Sequence, residues 1–180
     1  GRNDVFPLRS SGAQGQGGKP DAMRYHFVPP MARVASKQSP TLERGSWSLT
    51  ADVDIAGEET EGVIYAQGKS LDGVTLFLQG GELCFVYTVL GQETVCRSAT
   101  KLPKGRITVG MKFERDGDAA TVTLVAQDEA IGSIKISDVT RRAMRGAEVG
   151  RNRHASITEL YRAPFAFTGT LHCVDIQVDV

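Results

Sequence analysis

Five arginines crowd one stretch of this chain, 141-RRAMRGAEVGRNRH-154, where Arg141, Arg142, Arg145, Arg151 and Arg153 stand against a single acidic residue, Glu148. A guanidinium is a planar fork of donors that fits the paired oxygens of sulfate, phosphate or carboxylate, so the cluster is a candidate anion grip. Two plainer readings compete with it: a solvated loop, and a surface docked on an acidic neighbour. The complement lies at 52–61, which carries five acidic side chains and no basic one.

Other chemistry is sparse. The histidines His26, His154 and His172 are far apart and show no H-x-x-x-H spacing, and His172, alternating with Leu171 and Cys173 on a strand, is expected to be a surface or rim imidazole rather than a metal ligand. The cysteines Cys84, Cys96 and Cys173 have no CxxC spacing and an odd count, which suits neither a zinc site nor a disulfide framework. Cys84 and Cys96 lie on either side of the turn at Gly91, which leaves open a cross-hairpin disulfide beside the alternative of buried free thiols. No serine sits in a G-x-S-x-G elbow, and no glycine-rich phosphate loop joins a strand to a helix. No catalytic residue and no metal-ligand set is assigned. Lysine plus arginine equals aspartate plus glutamate, 21 each, so a nucleic-acid or anionic-membrane binder is not indicated. No apolar run reaches membrane-spanning length. The first residue is Gly1 and no signal-peptide pattern follows, which leaves the compartment undetermined; an extracytoplasmic or periplasmic place would require a leader on a parent chain.

The elements that must position these groups are strands. In 47-WSLTADVDI-55 the odd positions Trp47, Leu49, Ala51, Val53 and Ile55 are apolar and the even ones polar, the period of a sheet with one wet face. Further strands are expected at 24–28, 62–68, 107–113, 120–126, 130–136 and 166–180. The stretch 71-LDGVTLFLQGGELCFVYTVLGQET-94 reads as three strands joined by tight turns, apolar on both faces, hence central or covered on its outer side. The 115-RDGD-118 turn carries Asp-Gly, a hairpin signal. The best helical candidate, 137–145, is one or two turns at most. Short strands with glycine-rich turns imply an all-β, two-sheet antiparallel sandwich of one domain. Residues 1–22 read as an N-terminal extension and flexible linker, with 9–22 expected to be mobile, and 23–180 as the sandwich. Trp47, Leu49, Val53, Val109, Met111, Phe113 and Ile176 are expected in the core. Along the closing strand the apolar set moves from odd to even positions between Cys173 and Val174, which predicts a β-bulge.

The ordered set 62-GVIYAQG-68, 73-GVTLFLQGGELCFVY-87, 102-LPKG-105, 149-VGR-151 and 161-YRAPFAFTGTLHCVDIQV-178 resembles the C-terminal module of bacterial arylsulfatases. The resemblance implies a concanavalin A-like jelly roll, similar to laminin-G-type domains, attached to a sulfatase catalytic domain or a neighbouring subunit. It also implies that the closing strand pairs near the first strand of the sandwich. A sulfatase needs a C/S-x-P-x-R motif, and 96-CRSAT-100 lacks both its proline and its arginine, so this chain is not expected to be the enzyme. Beta-glucanase-like sandwiches carry E-x-D-x-x-E on one strand; 52-DVDIAGE-58 puts Asp52 and Asp54 on one face, but Glu58 falls out of phase, leaving the glycoside hydrolase a remote alternative. Calcium is the ion implied by laminin-G-like folds, with Asp116 and Asp118 as the candidate oxygen donors, although the turn explains both. The expected role is therefore a non-catalytic accessory domain serving stability, assembly or substrate access, without a cofactor of its own. The alternative is a stand-alone lectin-like module for a carbohydrate or sulfated ligand, using the arginine cluster. Trp47, the only tryptophan, falls on the inward face, so no aromatic platform for a sugar is in view.

Overall fold

The computed structural model describes residues 8–9, 22–153 and 156–179. Its strands are β1 (Leu8–Arg9), β2 (Ala22–Phe27), β3 (Trp47–Ile55), β4 (Gly62–Gly68), β5 (Asp72–Gln79), β6 (Glu82–Val89), β7 (Gln92–Arg97), β8 (Gly105–Asp116), β9 (Ala119–Ala126), β10 (Glu129–Ile136), β11 (Ala147–Val149) and β12 (Thr170–Asp179). They form a seven-stranded sheet, β1-β2-β12-β3-β8-β9-β10, and a five-stranded sheet, β11-β4-β5-β6-β7. This is the antiparallel sandwich that the strand periods imply.

Alternation builds the interior. Trp47, Leu49, Val53, Val109, Met111, Phe113 and Ile176 are all buried, as expected of their positions. Trp47 stacks on Phe113 at 5.6 Å between ring centroids and reaches Phe85 of the facing sheet at 6.1 Å. Phe27 meets Tyr65 across the same gap at 6.0 Å. Burying each such side chain is worth about 1.5–3 kcal/mol.

Several boundaries differ from expectation. No helix forms over 137–145, and the one helical turn among the described residues is a 3-10 turn at Ser36–Gln38. The last strand begins at Thr170 rather than at 166, because Ala166 makes a parallel bridge to Val63. Ala22 opens β2, and Leu8–Arg9 pairs with Met23 and Arg24, so the edge of the sheet reaches into the stretch expected to lie outside it. The mobility expected of 9–22 falls mainly on 10–21, outside the described residues. β12 pairs β2 on one side and β3 on the other, as the resemblance implies. Its register slips between Leu171 and Cys173, so the bulge is present, with His172 as the extra residue one position ahead of the predicted step. Cys84 lies opposite Arg97 and Cys96 opposite Phe85, so the two thiols point to opposite faces and the cross-hairpin disulfide does not form.

Candidate functional site

The outer face of the five-stranded sheet is covered. Val63, Ala66, Phe77, Cys84 and Val86 project outward and are sealed by Ile157 and Tyr161 from the segment 150–167, with Phe165 packed alongside. Tyr161 stacks on Phe165 at 4.9 Å and meets Phe77 edge-on at 5.0 Å. Polar groups fix this strap. Asn152 Oδ1 accepts from the Tyr161 hydroxyl (2.8 Å) and the Ile157 amide (3.1 Å), while its Nδ2 donates to Glu148 (3.1 Å). The Glu93 carboxylate accepts from the Thr158 hydroxyl and the Glu159 amide, both at 3.0 Å. β5 and β6 are apolar on both faces because one faces the other sheet and the other faces the strap.

The outer face of the seven-stranded sheet is open. Its register sets residues in lines across the strands. One line is Arg24, Gln177, Ser48, Lys112 and Thr123; the next is His26, Asp175, Thr50, Gly110 and Val125. Two hollows lie along these lines, one of about 320 Å³ over β3, β8 and β9, the other of about 450 Å³ over β2, β12 and β3. Both are lined by Ser48 and Thr50, so they adjoin along β3 and together make a trough. Gly110 forms part of its floor. A Cβ there would lie 2.0 Å from the Leu49 carbonyl oxygen, so no side chain can fill the centre. The rim is hydroxyl, amide and charged: Thr108 and Thr123, Gln177, Arg24, Lys112, Asp128 and Asp175. Volumes of this order are those of small-ligand sites, about 300–1,000 Å³.

Beyond the trough, carboxylates of β3 and of the loop after it have basic neighbours. Arg106 grips Asp52 through Nε (3.0 Å) and Nη2 (2.8 Å), and this bond holds the Asp52 carboxyl below its ordinary range. His172 Nε2 lies 2.7 Å from Asp54, and Glu58 lies 3.1 Å from Lys101 Nζ. Each of the three carboxylates considered for glycoside hydrolysis thus has a basic partner. His26 Nδ1 lies 2.5 Å from Asp175 Oδ1 at the trough wall.

The arginine cluster flanks β11. Arg141, Arg142 and Arg145 are exposed on the loop between β10 and β11, with Arg142 3.5 Å from Asp72. Arg141 lies beside Arg115, whose guanidinium donates to the carbonyls of Gly45, Leu42 and Thr140. Arg151 donates to the Met31 carbonyl at 3.2 Å, a bond that pins the proline-rich loop, and Arg153 is exposed. Asp116 and Asp118 flank Gly117, whose φ of 63° is what the turn requires. Cys96, the head of the failed sulfatase motif, is buried between the sheets. His154 lies outside the described residues. The trough residues carry a weak sequence signal, the glycine inside 107-ITVGMKF-113 and the hydroxyls at alternate polar positions of β3, β8 and β9; their alignment depends on register between distant strands.

No family model matches the chain, and no curated protein sequence matches it. Among solved structures it is similar to the CBM40 of Ruminococcus gnavus IT-sialidase bound to alpha2,3 sialyllactose, at 12% identity and a TM-score of 0.53, covering 81% of this chain and 87% of that one. It is also similar to domains LG4-5 of the mouse laminin alpha1 chain, at 18% identity and a TM-score of 0.50, covering 80% of this chain and 37% of that one. The binding domain of botulinum neurotoxin serotype C1 aligns at 12% identity and a TM-score of 0.50, covering 97% of this chain and 38% of that one. This chain therefore spans little more than a third of the laminin and neurotoxin chains. The likenesses show a jelly-roll sandwich of the laminin-G kind. The resemblance to arylsulfatase modules gains no support from them beyond the fold.

Proposed function

We propose that the chain is a carbohydrate-binding module that holds its ligand in the trough on the open face of the seven-stranded sheet. The observation that carries this reading is a floor without a side chain at Gly110, ringed by hydroxyl, amide and charged groups. A sugar gives up many hydrogen bonds to water on binding and needs as many donors and acceptors in return. Stacking is not part of the design, since Tyr25, the aromatic residue lining the trough, is buried from the other side. Affinity would rest on hydrogen bonds and charge, with Arg24 and Lys112 on one line of the sheet as the cations for an acidic sugar. The glycan named for the Ruminococcus gnavus module supports testing that class first. An accessory place beside a sulfatase domain rests on the quoted motifs alone, and sugar binding does not depend on it.

A glycan array followed by calorimetry tests the reading, with sialyllactose and lactose as the first pair of probes. Thr123→Arg should abolish binding by filling the trough, and Arg24→Ala or Lys112→Ala should weaken binding of the acidic probe about tenfold or more. The triple change Arg141→Ala, Arg142→Ala, Arg145→Ala should leave it unchanged. Binding retained by Thr123→Arg, or lost in the triple variant, would move the site to the arginine loop. Absence of binding to any glycan would overturn the proposal.

A further inference from the structure

We infer that His26, Cys173 and Asp175 form a site for a zinc-class divalent cation at the β2–β12 side of the open face. The bulge creates it. Leu171 packs on the core and Val174 is buried, so a regular strand would aim Cys173 inward with Leu171. With His172 as the extra residue, Cys173 instead stands opposite Asp52 and on the same outward side as Asp175. His26 lies directly across the ladder from Asp175. The donor atoms of His26, Cys173 and Asp175 all lie within 4.8 Å of one another.

That spacing is near what a tetrahedral ion needs. Zinc bonds of about 2.0–2.3 Å put donor atoms roughly 3.3–3.7 Å apart. Side-chain rotation can close the difference on a backbone that ladders to β2 and β3 hold in place. The donor set is one imidazole nitrogen, one thiol sulfur and one carboxylate oxygen. Nitrogen and sulfur suit zinc and its first-row neighbours, whereas calcium and magnesium take oxygen. The site is thus distinct in place and chemistry from the Asp116–Asp118 turn. The Asp52 carboxylate opposite Cys173 and Asp175 on the same outward side would favour a dication, which takes the cysteine as thiolate while its proton passes to solvent. An ordinary exposed hydrogen bond accounts for His26 and Asp175 but not for a bulge that turns a cysteine out beside them. Three protein ligands leave a fourth position for water. Because His26 and Asp175 also line the trough, a bound cation would adjoin the space proposed for the sugar.

The test uses the reduced, tag-free chain, stripped with chelator and titrated with cobalt(II), then zinc(II). The expected result is one cobalt per chain, a near-ultraviolet thiolate-to-cobalt band, and its loss as zinc displaces the probe. Cys173→Ser should remove the band, and His26→Ala and Asp175→Asn should each weaken binding by about tenfold or more. Cys84→Ser should change nothing. His26 and Asp175 are exposed and Cys173 is part-exposed on the outer face, so the variants should keep the wild-type urea midpoint. No band, a band surviving in Cys173→Ser, or unaltered affinity in His26→Ala would each overturn the assignment. Glycan binding measured in chelator is a separate readout, so failure of the metal site and failure of the sugar site are distinguishable.

Discussion

The two outer faces of this sandwich start from the same backbone and end in opposite states. On the five-stranded sheet, Val63, Phe77, Cys84 and Val86 are apolar outward residues, and a strap carrying Ile157, Tyr161 and Phe165 dries them. On the seven-stranded sheet the outward positions of β3 are Ser48, Thr50, Asp52 and Asp54, and the trough over Gly110 is left to water. A covered face adds stability through packing; an open one with a vacant centre adds little and leaves donors and acceptors available. The difference is the ground for proposing the open face rather than the charge cluster, because the cluster is a feature of sequence and the trough is a feature of register.

The comparison breaks most readily by truncation. Phe77→Ala or Tyr161→Ala should cost about 3–5 kcal/mol in urea unfolding, lost packing and cavity together. Thr50→Ala and Thr123→Ala should each stay within ~0.5 kcal/mol. Comparable losses on the two faces would mean the strap is not part of the core. A smaller effect separates the polar fastenings: Asn152→Ala strands the Tyr161 hydroxyl and the Ile157 amide and should cost ~1–3 kcal/mol, while Gln177→Ala on the open face should cost little.

The faces should also answer to opposite ends of the pH scale. Burial pushes the Tyr161 phenol up to about 12 and the Cys84 thiol up to about 11, against ordinary values of 10.0 and 9.0. The unfolded chain ionises first, so their stabilisation is intact below the ordinary values and falls as pH climbs from 9.0 toward the folded ones. On the open face Asp52 is held low by Arg106, so its contribution is present above its ordinary 3.8 and is lost as pH falls through the folded value. Tyr161→Phe should flatten the alkaline limb of stability against pH and leave the acid limb alone; an unchanged alkaline limb would count against the strap's buried phenol. The mildest test is alkylation of the folded chain at pH 8, where Cys173 should react ahead of buried Cys84 and Cys96. Faster modification of Cys84 would mean that the strap opens readily.

Much of the sandwich was legible in the sequence because one face of β3, β8 and β12 alternates cleanly. Trp47, Leu49, Val109, Met111 and Phe113 announce the interior without help from distant contacts, and the phase change near Cys173 announces the bulge. The strap was not legible. Ile157, Tyr161 and Phe165 follow no helical or strand period, and what makes them core is Phe77 and Thr75, some 80 positions earlier: Thr75 and Tyr161 share a 3.0 Å hydroxyl bond across 86 residues of chain. The trough was hidden for the same reason. Gly110 is one glycine in a strand until β3 is laid beside it, and Arg24, Gln177, Ser48 and Lys112 become neighbours only through three ladders. Of the arginines, closeness along the chain could not tell that Arg151 turns to the Met31 carbonyl while Arg141, Arg142, Arg145 and Arg153 stay exposed.

The central claim is that the open face of the seven-stranded sheet is where ligand binds. Amide chemical-shift mapping during titration with a glycan taken from the array tests it most directly. The account predicts that the largest shifts fall on Ser48, Thr50, Gly110, Lys112, Thr123 and Gln177, with the strap around Asn152 and Tyr161 unmoved. Shifts centred on Arg141–Arg153, or on the strap, would contradict it.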